Sequence, residues 1–214
     1  MVIENLTLHN FRNYEDETFA FDAGLNVLTG RNAQGKTNCA EAVFYLCTGT
    51  SLRIRHDRQL IRRGETSARI AAKAHTRFGS VTLEAVIFEN KRELFVNGNK
   101  VTKAADFVGN MNCVFFSPGE LRLIQDGPDE RRRFLNLSIS QTSREYCTAL
   151  ARYQRILDQR NNLLKERDVS LVLETLPVWD EQLSVYAARI VRHRRRYLSE
   201  LSPLAHDAHA YLTD

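Results

Sequence analysis

A glycine-rich stretch that ends in lysine and threonine is the most specific chemical motif in the sequence. Residues 30–37 fit Gly-x-x-x-x-Gly-Lys-Thr at every fixed position. Glycines let the backbone curl so that N–H groups point at phosphate oxygens, and a helix that starts there adds its positive end. Lys36 is predicted to reach the β and γ phosphates of ATP, and Thr37 to place its hydroxyl on Mg²⁺. The predicted nucleotide-binding residues are Gly30, Arg31, Asn32, Ala33, Gln34, Gly35, Lys36, Thr37 and Asn38.

The residues leave ATP hydrolysis undecided. A P-loop ATPase also needs a carboxylate after a second apolar strand, where it holds the Mg²⁺ shell and orients water. Residues 113–116 are apolar but precede Ser117, and residues 171–174 end in Glu174 within a region of helical character. Neither segment satisfies the pattern, so the catalytic residues are unknown at this point.

Alternating apolar residues predict strands around the glycine-rich loop. Residues 3–8 and 19–21 alternate with a period of two and predict a hairpin-like pair. Residues 25–29 predict a strand that runs straight into the loop, and residues 37–46 predict the helix behind it. Further strands are predicted at 69–74, 81–88, 93–96, 99–101 and 112–116, with Asn97-Gly98 as a type I′ turn between two of them.

The second half of the chain is predicted to be helical. Apolar residues at heptad spacing run from Tyr146 to Leu164 and again from Trp179 to Leu204, with a break around residues 168–177. Ser143 is a suitable N-cap for the first helix. We therefore expect an antiparallel helical hairpin with core-packing Tyr and Leu seams, and a division into a nucleotide-binding α/β lobe at 1–116 and a helical lobe at 117–214.

Composition and charge are those of an ordinary globular chain. The 214 residues carry a formal net charge of +4, with 43% hydrophobic and 26% charged residues, which argues against disordered and fibrous proteins. No apolar run approaches the roughly 20 residues that cross a bilayer, so a cytoplasmic protein without a membrane partner is expected. Four cysteines without a Cys-x-x-Cys pair are predicted to be reduced and mostly buried: Cys39, Cys47, Cys113 and Cys147.

Arginine-rich clusters are candidates for contacts with a sugar-phosphate backbone. The cluster behind the predicted loop helix is assigned to DNA and comprises Arg53, Arg55, Arg58, Arg62 and Arg63. Residues 131–133 are assigned a structural or inter-lobe role, with DNA contact as the alternative. The row formed by Arg189, Arg192, Arg194, Arg195 and Arg196 is assigned to solvated helix surface. His206 and His209 lack further ligands at a metal-binding spacing, so no site is assigned to them.

Several segments, taken in order, resemble the RecF family of bacterial recombination-repair proteins, which is related to the Rad50 and SMC ATPases. The matching segments are residues 8–14, the Asn-Ala-Gln-Gly-Lys-Thr-Asn form of the loop, Glu41-Ala42, Phe116-Ser117-Pro118, Gly127-Pro128, 131–135, Tyr153, 159–161 and 163–165. The resemblance implies an α/β fold, a P-loop ABC-type ATPase head with an N-terminal mixed β/α lobe and a helical second lobe. It also implies that Arg12 approaches the nucleotide phosphates.

The functional implications of this resemblance are ATP-dependent DNA binding, dimerisation around two ATP molecules, and weak DNA-stimulated ATPase activity. They extend to gap repair and replication restart with RecO, RecR and RecA, and to the SOS response. The family's Leu-Ser-x-Gly-Gln signature and apolar-Asp-Asp segment do not occur in the sequence, so a truncated chain is expected. Gly119-Glu120 also stands where the family has an acidic residue directly after Ser-Pro, and Asn136 where Asp is typical.

Two other classes of function remain open from the residues alone. A small-molecule P-loop kinase would use the same loop, but it needs an acceptor pocket and a lid. A DNA- or protein-binding module would hold nucleotide without turnover. Binding and phosphate-release measurements separate these alternatives.

Overall fold

The computed structural model describes residues 1–54 and 56–213, in two compact units, Met1–Leu121 and Arg122–Asp214. The first unit contains an antiparallel sheet in the order β2-β1-β3-β4-β5-β6. Its strands are β1 (Val2–Phe11), β2 (Tyr14–Ala20), β3 (Ser67–Thr76), β4 (Gly79–Phe88), β5 (Arg92–Val96) and β6 (Asn99–Val101). The helices of this unit are α1 (Lys36–Thr48) and α2 (Ala104–Phe107), with 3₁₀ turns at Asp57–Leu60 and Pro118–Leu121.

The sheet forms because its central strands alternate buried and more exposed residues. Leu6 and Leu8 on β1, Ile70 on β3 and Leu83 on β4 are fully buried. Helix α1 packs against β3 and β4, and its Tyr45 is fully buried as well. A period-two apolar face thus meets the apolar side of one helix, which makes the core of this unit.

The predicted hairpins are confirmed. Strands β1 and β2 pair antiparallel, with Leu6 opposite Phe19. Asn97 and Gly98 have φ angles of 50° and 77°, as a type I′ turn requires of both central residues.

Two predicted strands, at residues 25–29 and 112–116, are wrong. Within the described residues, both segments lie outside the sheet. Leu25 is 89% exposed and Val114 is 100% exposed, so the apolar residues of these segments have no surface to pack against. Alternation supplies a face, whereas a strand also needs a neighbouring backbone for its hydrogen bonds. The glycine-rich loop therefore follows a segment that has no regular secondary structure.

The second unit is helical, as predicted. Its helices are α3 (Arg122–Gln125), α4 (Pro128–Thr142), α5 (Arg144–Leu163) and α6 (Val169–Thr213). The Ser143 hydroxyl accepts a hydrogen bond from the Tyr146 N–H at 3.1 Å, which confirms the N-cap. Arg160 near the end of α5 pairs with Asp180 near the start of α6, which confirms the antiparallel hairpin.

The predicted break at residues 168–177 is wrong in its extent. Helix α6 begins at Val169 and continues through Pro177. A proline inside a helix removes one hydrogen bond, but the remaining turns and the packing of α6 along α5 keep the segment helical. The connection between the two helices is correspondingly short.

The helical core confirms the predicted packing of residues in the middle of the two heptad patterns, but residues at the ends of the patterns are exposed. Ile139, Tyr146, Ala149 and Ile190 form a buried cluster, against which Leu150, Tyr153, Tyr186 and Tyr197 pack. Leu164, directly after the end of α5, is 47% exposed, and Leu204 on α6 is 66% exposed.

A polar network at this core corrects the assignment of Arg194 to solvated surface. Arg194 donates from Nη2 to Asn136 Oδ1 at 2.8 Å and from Nε to the Tyr146 hydroxyl at 3.1 Å. Tyr146 in turn donates to the same Asn136 oxygen at 2.7 Å. Burial raises the pKa of Tyr146, which keeps its hydroxyl protonated as a donor. The network joins α4, α5 and α6.

Candidate nucleotide-binding site

The glycine-rich loop turns sharply into helix α1. Gly30 and Gly35 have φ angles of +142° and +102°, and Ala33 also has a positive φ of +66°. Gly35 is the N-cap of α1, and its carbonyl accepts from the N–H groups of Asn38 and Cys39. The Arg31 N–H donates to Gln34 Oε1 at 3.0 Å, which closes the loop across its middle. The first turn of α1 and the loop backbone thus face the same space.

Lys36 lies across this loop. Its ammonium donates to the carbonyls of Gly30 and Arg31, both at 2.7 Å. Thr37 is exposed beside it. An ammonium and a hydroxyl at the N-terminus of a helix are the donor set that suits nucleotide phosphates and a hydrated Mg²⁺.

The turn between β1 and β2 packs against the glycine-rich loop at Gly35. A Cβ added at Gly35 would lie 2.7 Å from the Tyr14 hydroxyl oxygen and 2.8 Å from the Asn13 amide atoms. Asn13 is held in place because its Oδ1 accepts from Asn38 Nδ2 at 2.7 Å. Burial raises the pKa of the Cys39 thiol to about 11, so this neighbour in the helix stays neutral.

Gly35→Ala is expected to destabilise the protein by about 2 kcal/mol and to weaken nucleotide binding at least 10-fold. An alanine at this position is strained by the positive φ, and its Cβ lies too close to Tyr14 and Asn13. Gly64→Ala is the matched control, since Gly64 has a φ of +94° but nothing within 4 Å of the added Cβ. Urea unfolding and nucleotide titration of both variants check this. Equal losses of nucleotide affinity in the two variants would contradict the role assigned to the contact between Gly35 and the β1–β2 turn.

A buried carboxylate on α1 lies beside the loop. Glu41 is 2% exposed, and Arg12 donates to it from Nε at 3.0 Å and from Nη2 at 2.9 Å. The Ser51 hydroxyl donates to Glu41 Oε1 at 2.5 Å. Arg53 Nη1 lies 3.8 Å from the other carboxylate oxygen and donates to Asn38 Oδ1 at 3.1 Å. Glu41 therefore links the end of β1, helix α1 and the segment after it.

Sequence reasoning did not assign a role to Glu41, Ser51, Asn13 or Tyr14. One signal was available for Glu41: it is a carboxylate inside the apolar run of α1, between Cys39 and Phe44. A charge in such a position is buried only with a partner. The partners come from distant parts of the chain, so the sequence did not identify them.

Arg12 belongs to the Glu41 cluster. Its third nitrogen donor, Nη1, donates to the Gln59 carbonyl at 3.0 Å, so the guanidinium is engaged on every side. Its predicted approach to the nucleotide phosphates stays a prediction.

The predicted DNA-binding arginines are spread over the segment after α1. Arg53 lies at the Glu41 cluster, and Arg62 pairs with Glu15 of β2 at 3.0 Å. Arg58 and Arg63 are exposed, and Arg55 lies outside the described residues. DNA contact by these arginines remains a prediction.

Residues 5–184 match the family of AAA domains. The chain is 41% identical over 98% of its length to the DNA replication and repair protein RecF of Geobacillus thermodenitrificans, and 42% identical over 98% to that of Geobacillus kaustophilus. The chain belongs to the RecF family of AAA-domain proteins. It spans about 57% of the length of these curated relatives.

Solved structures confirm the fold class. The recombination mediator protein RecF with ATP, in the RecFOR pathway, superimposes with a TM-score of 0.85 at 31% identity, over 94% of this chain and 54% of that one. The Smc head domain of Pyrococcus furiosus gives a TM-score of 0.50 at 17% identity, over 93% of this chain and 58% of that one, and shares the fold alone. The RecF-family chain thus has the ATPase head fold that its sequence predicted. Across the residues that the structure describes, no helix has the length and apolar character to span a membrane.

Proposed function

We propose that this RecF-family chain binds Mg-ATP on the loop from Gly30 to Asn38 and engages DNA in a nucleotide-dependent way during repair and replication. The observation that carries the proposal is the loop geometry, with two positive-φ glycines and the Lys36 ammonium held over the loop at the start of α1. Bound ATP supplies the phosphates that such a cradle recognises. Thr37 is proposed to hold Mg²⁺ through its hydroxyl.

Coupling between nucleotide and DNA binding is proposed from a hydrogen bond beside the loop. Asn38 directly follows Thr37, and it is hydrogen-bonded to Arg53 of the predicted DNA-contacting cluster. A ligand that moves one of these side chains therefore changes the environment of the other. Assembly as an ATP-dependent homodimer, and cooperation with RecO, RecR and RecA, are proposed for the whole protein on the strength of its family.

The test is a calorimetric titration of the 214-residue chain with Mg-ATP, followed by DNA binding and phosphate release on the same preparation. We expect one nucleotide per chain and weaker binding when EDTA removes the Mg²⁺. DNA affinity should rise when Mg-ATP is present, by the same factor as ATP affinity rises when DNA is present. No heat of nucleotide binding, or a DNA affinity independent of nucleotide, would contradict the proposal. Phosphate release decides whether the bound nucleotide turns over.

A further inference from the structure

A groove runs along one face of helices α5 and α6, inside the second unit. Two adjoining cavities of about 260 and 470 Å³ share Arg152 and Tyr186 in their walls. The lining positions of α5 run from residue 144 to residue 159 as single residues or adjacent pairs that recur every three or four residues, which keeps them on one helix face. At a rise of 1.5 Å per residue this face is about 22 Å long.

The groove carries an excess of positive charge. Its walls contain four arginines, Arg144, Arg152, Arg155 and Arg189, and one carboxylate, Glu145, which faces His193 Nε2 at 3.5 Å. Within the described part of the chain, neither Arg152 nor Arg155 pairs with a carboxylate. Arg160, one turn beyond Arg155, is neutralised by Asp180 at 2.5 Å. Arg152 and Arg155 therefore leave positive charge in the groove that no carboxylate among the described residues compensates.

Two aromatic rings line the same groove. Trp179 and Tyr186 lie two turns apart on α6, and each is only partly buried. The Arg189 guanidinium lies 5.5 Å from the centre of the Tyr186 ring. The sequence assigned both rings to core packing, and the structure shows that each also presents surface to the groove. Aromatic rings beside arginines can stack against a flat ligand group while the guanidinium groups attract negative charge.

The chemistry of the walls distinguishes between two kinds of anionic partner. An acidic amphipathic helix needs apolar pockets for its anchor side chains. The aliphatic residues of the groove, Ala149 and Ile156, are only 2% and 6% exposed, so they offer a partner almost no apolar surface. What remains accessible is guanidinium, aromatic ring, the amides of Gln159 and Gln182, and the exposed side chains of Glu145 and Thr148. Guanidinium, ring and amide groups bind phosphates, bases and base edges.

We propose that the α5–α6 groove binds a single nucleic-acid strand, with phosphates at Arg152 and Arg155 and bases against Trp179 and Tyr186. This inference rests on the proposed DNA engagement and gives it a second contact surface, apart from the phosphate loop and its neighbouring arginines.

Salt dependence of binding to a fluorescein-labelled 20-nucleotide oligo-dT tests the arginines. Arg152→Ala/Arg155→Ala removes two phosphate contacts, so the slope of log K against log salt should become shallower by about 1.4, with about 25-fold weaker binding at 0.1 M salt. Arg192→Ala/Arg195→Ala removes the same charge from exposed positions of α6 outside the groove. This control should change the affinity less than about 3-fold. Equal effects of the two pairs would overturn the proposal.

Intrinsic fluorescence tests the rings, because Trp179 is the single tryptophan of the chain. We expect oligo-dT to quench it and polyglutamate to leave it unchanged. Quenching by polyglutamate alone would assign the groove to an acidic protein, and an unchanged signal at saturating oligo-dT would overturn the stacking contact. Mg-ATP titration of the Arg152→Ala/Arg155→Ala variant separates the two proposals, since its nucleotide affinity should stay that of the unmodified chain. Failure of the unmodified chain to bind any DNA would instead refute the proposed DNA engagement as a whole.

Discussion

Replacing Lys36 with methionine is expected to weaken Mg-ATP binding about 100-fold, measured by calorimetric titration. A hydrogen bond to a charged group contributes about 1.5–3 kcal/mol, and a loss of about 2.7 kcal/mol corresponds to 100-fold in affinity. The ammonium of Lys36 also holds the carbonyls of Gly30 and Arg31, so the variant loses part of the loop's internal support. Methionine keeps the apolar stem of the side chain and removes the charge.

Lys103→Met is the matched control for this prediction. It removes one exposed lysine charge from the same unit, outside the loop, and is expected to leave nucleotide affinity within about 2-fold. Thermal unfolding of both variants shows whether either has lost its fold. A folded Lys36→Met protein with unchanged affinity for Mg-ATP would reject the loop as the nucleotide site.

Glu41→Gln is expected to lower the free energy of unfolding by about 3 kcal/mol, measured by urea denaturation. Removing one partner of a buried ion pair leaves the other charge uncompensated, which costs about 3–5 kcal/mol. The Arg12 side chain is 19% exposed and that of Glu41 is 2% exposed, so water replaces the lost interaction poorly. The neutral amide still offers one acceptor oxygen, which places the estimate at the lower end.

Glu15→Gln provides the comparison on the same sheet. Glu15 pairs with Arg62 at 3.0 Å, but their side chains are 72% and 35% exposed, so this change should cost less than about 1 kcal/mol. Arg12→Met/Glu41→Met should be less destabilising than the sum of its single changes, because it leaves no unpaired charge. A cost for Glu41→Gln as small as that for Glu15→Gln would show that the cluster is not a structural link.

The order of strands and helices was largely predictable from local patterns. Alternation of apolar residues located β1, β3 and β4, and Asn97-Gly98 located the hairpin between β5 and β6. The same reasoning was wrong at residues 25–29 and 112–116. The apolar residues there predict a strand, but the structure provides no neighbouring strand for it among the described residues. An apolar pattern indicates which side chains share a face. It does not indicate whether another strand lies alongside to form the backbone hydrogen bonds.

The sequence by itself determined the glycine-rich loop, the helix that follows it and the antiparallel helical hairpin. Those features depend on the steric freedom of glycine, on capping and on helical period, which act between near neighbours in the chain. Only the tertiary structure showed that Glu41 meets Arg12, 29 residues earlier, and that Arg194 lies in a polar network. It also showed that Arg152 and Arg155 line a groove with Trp179. Ion pairs and grooves arise where distant segments pack together, so each arginine's role depended on the carboxylates and rings that folding placed beside it.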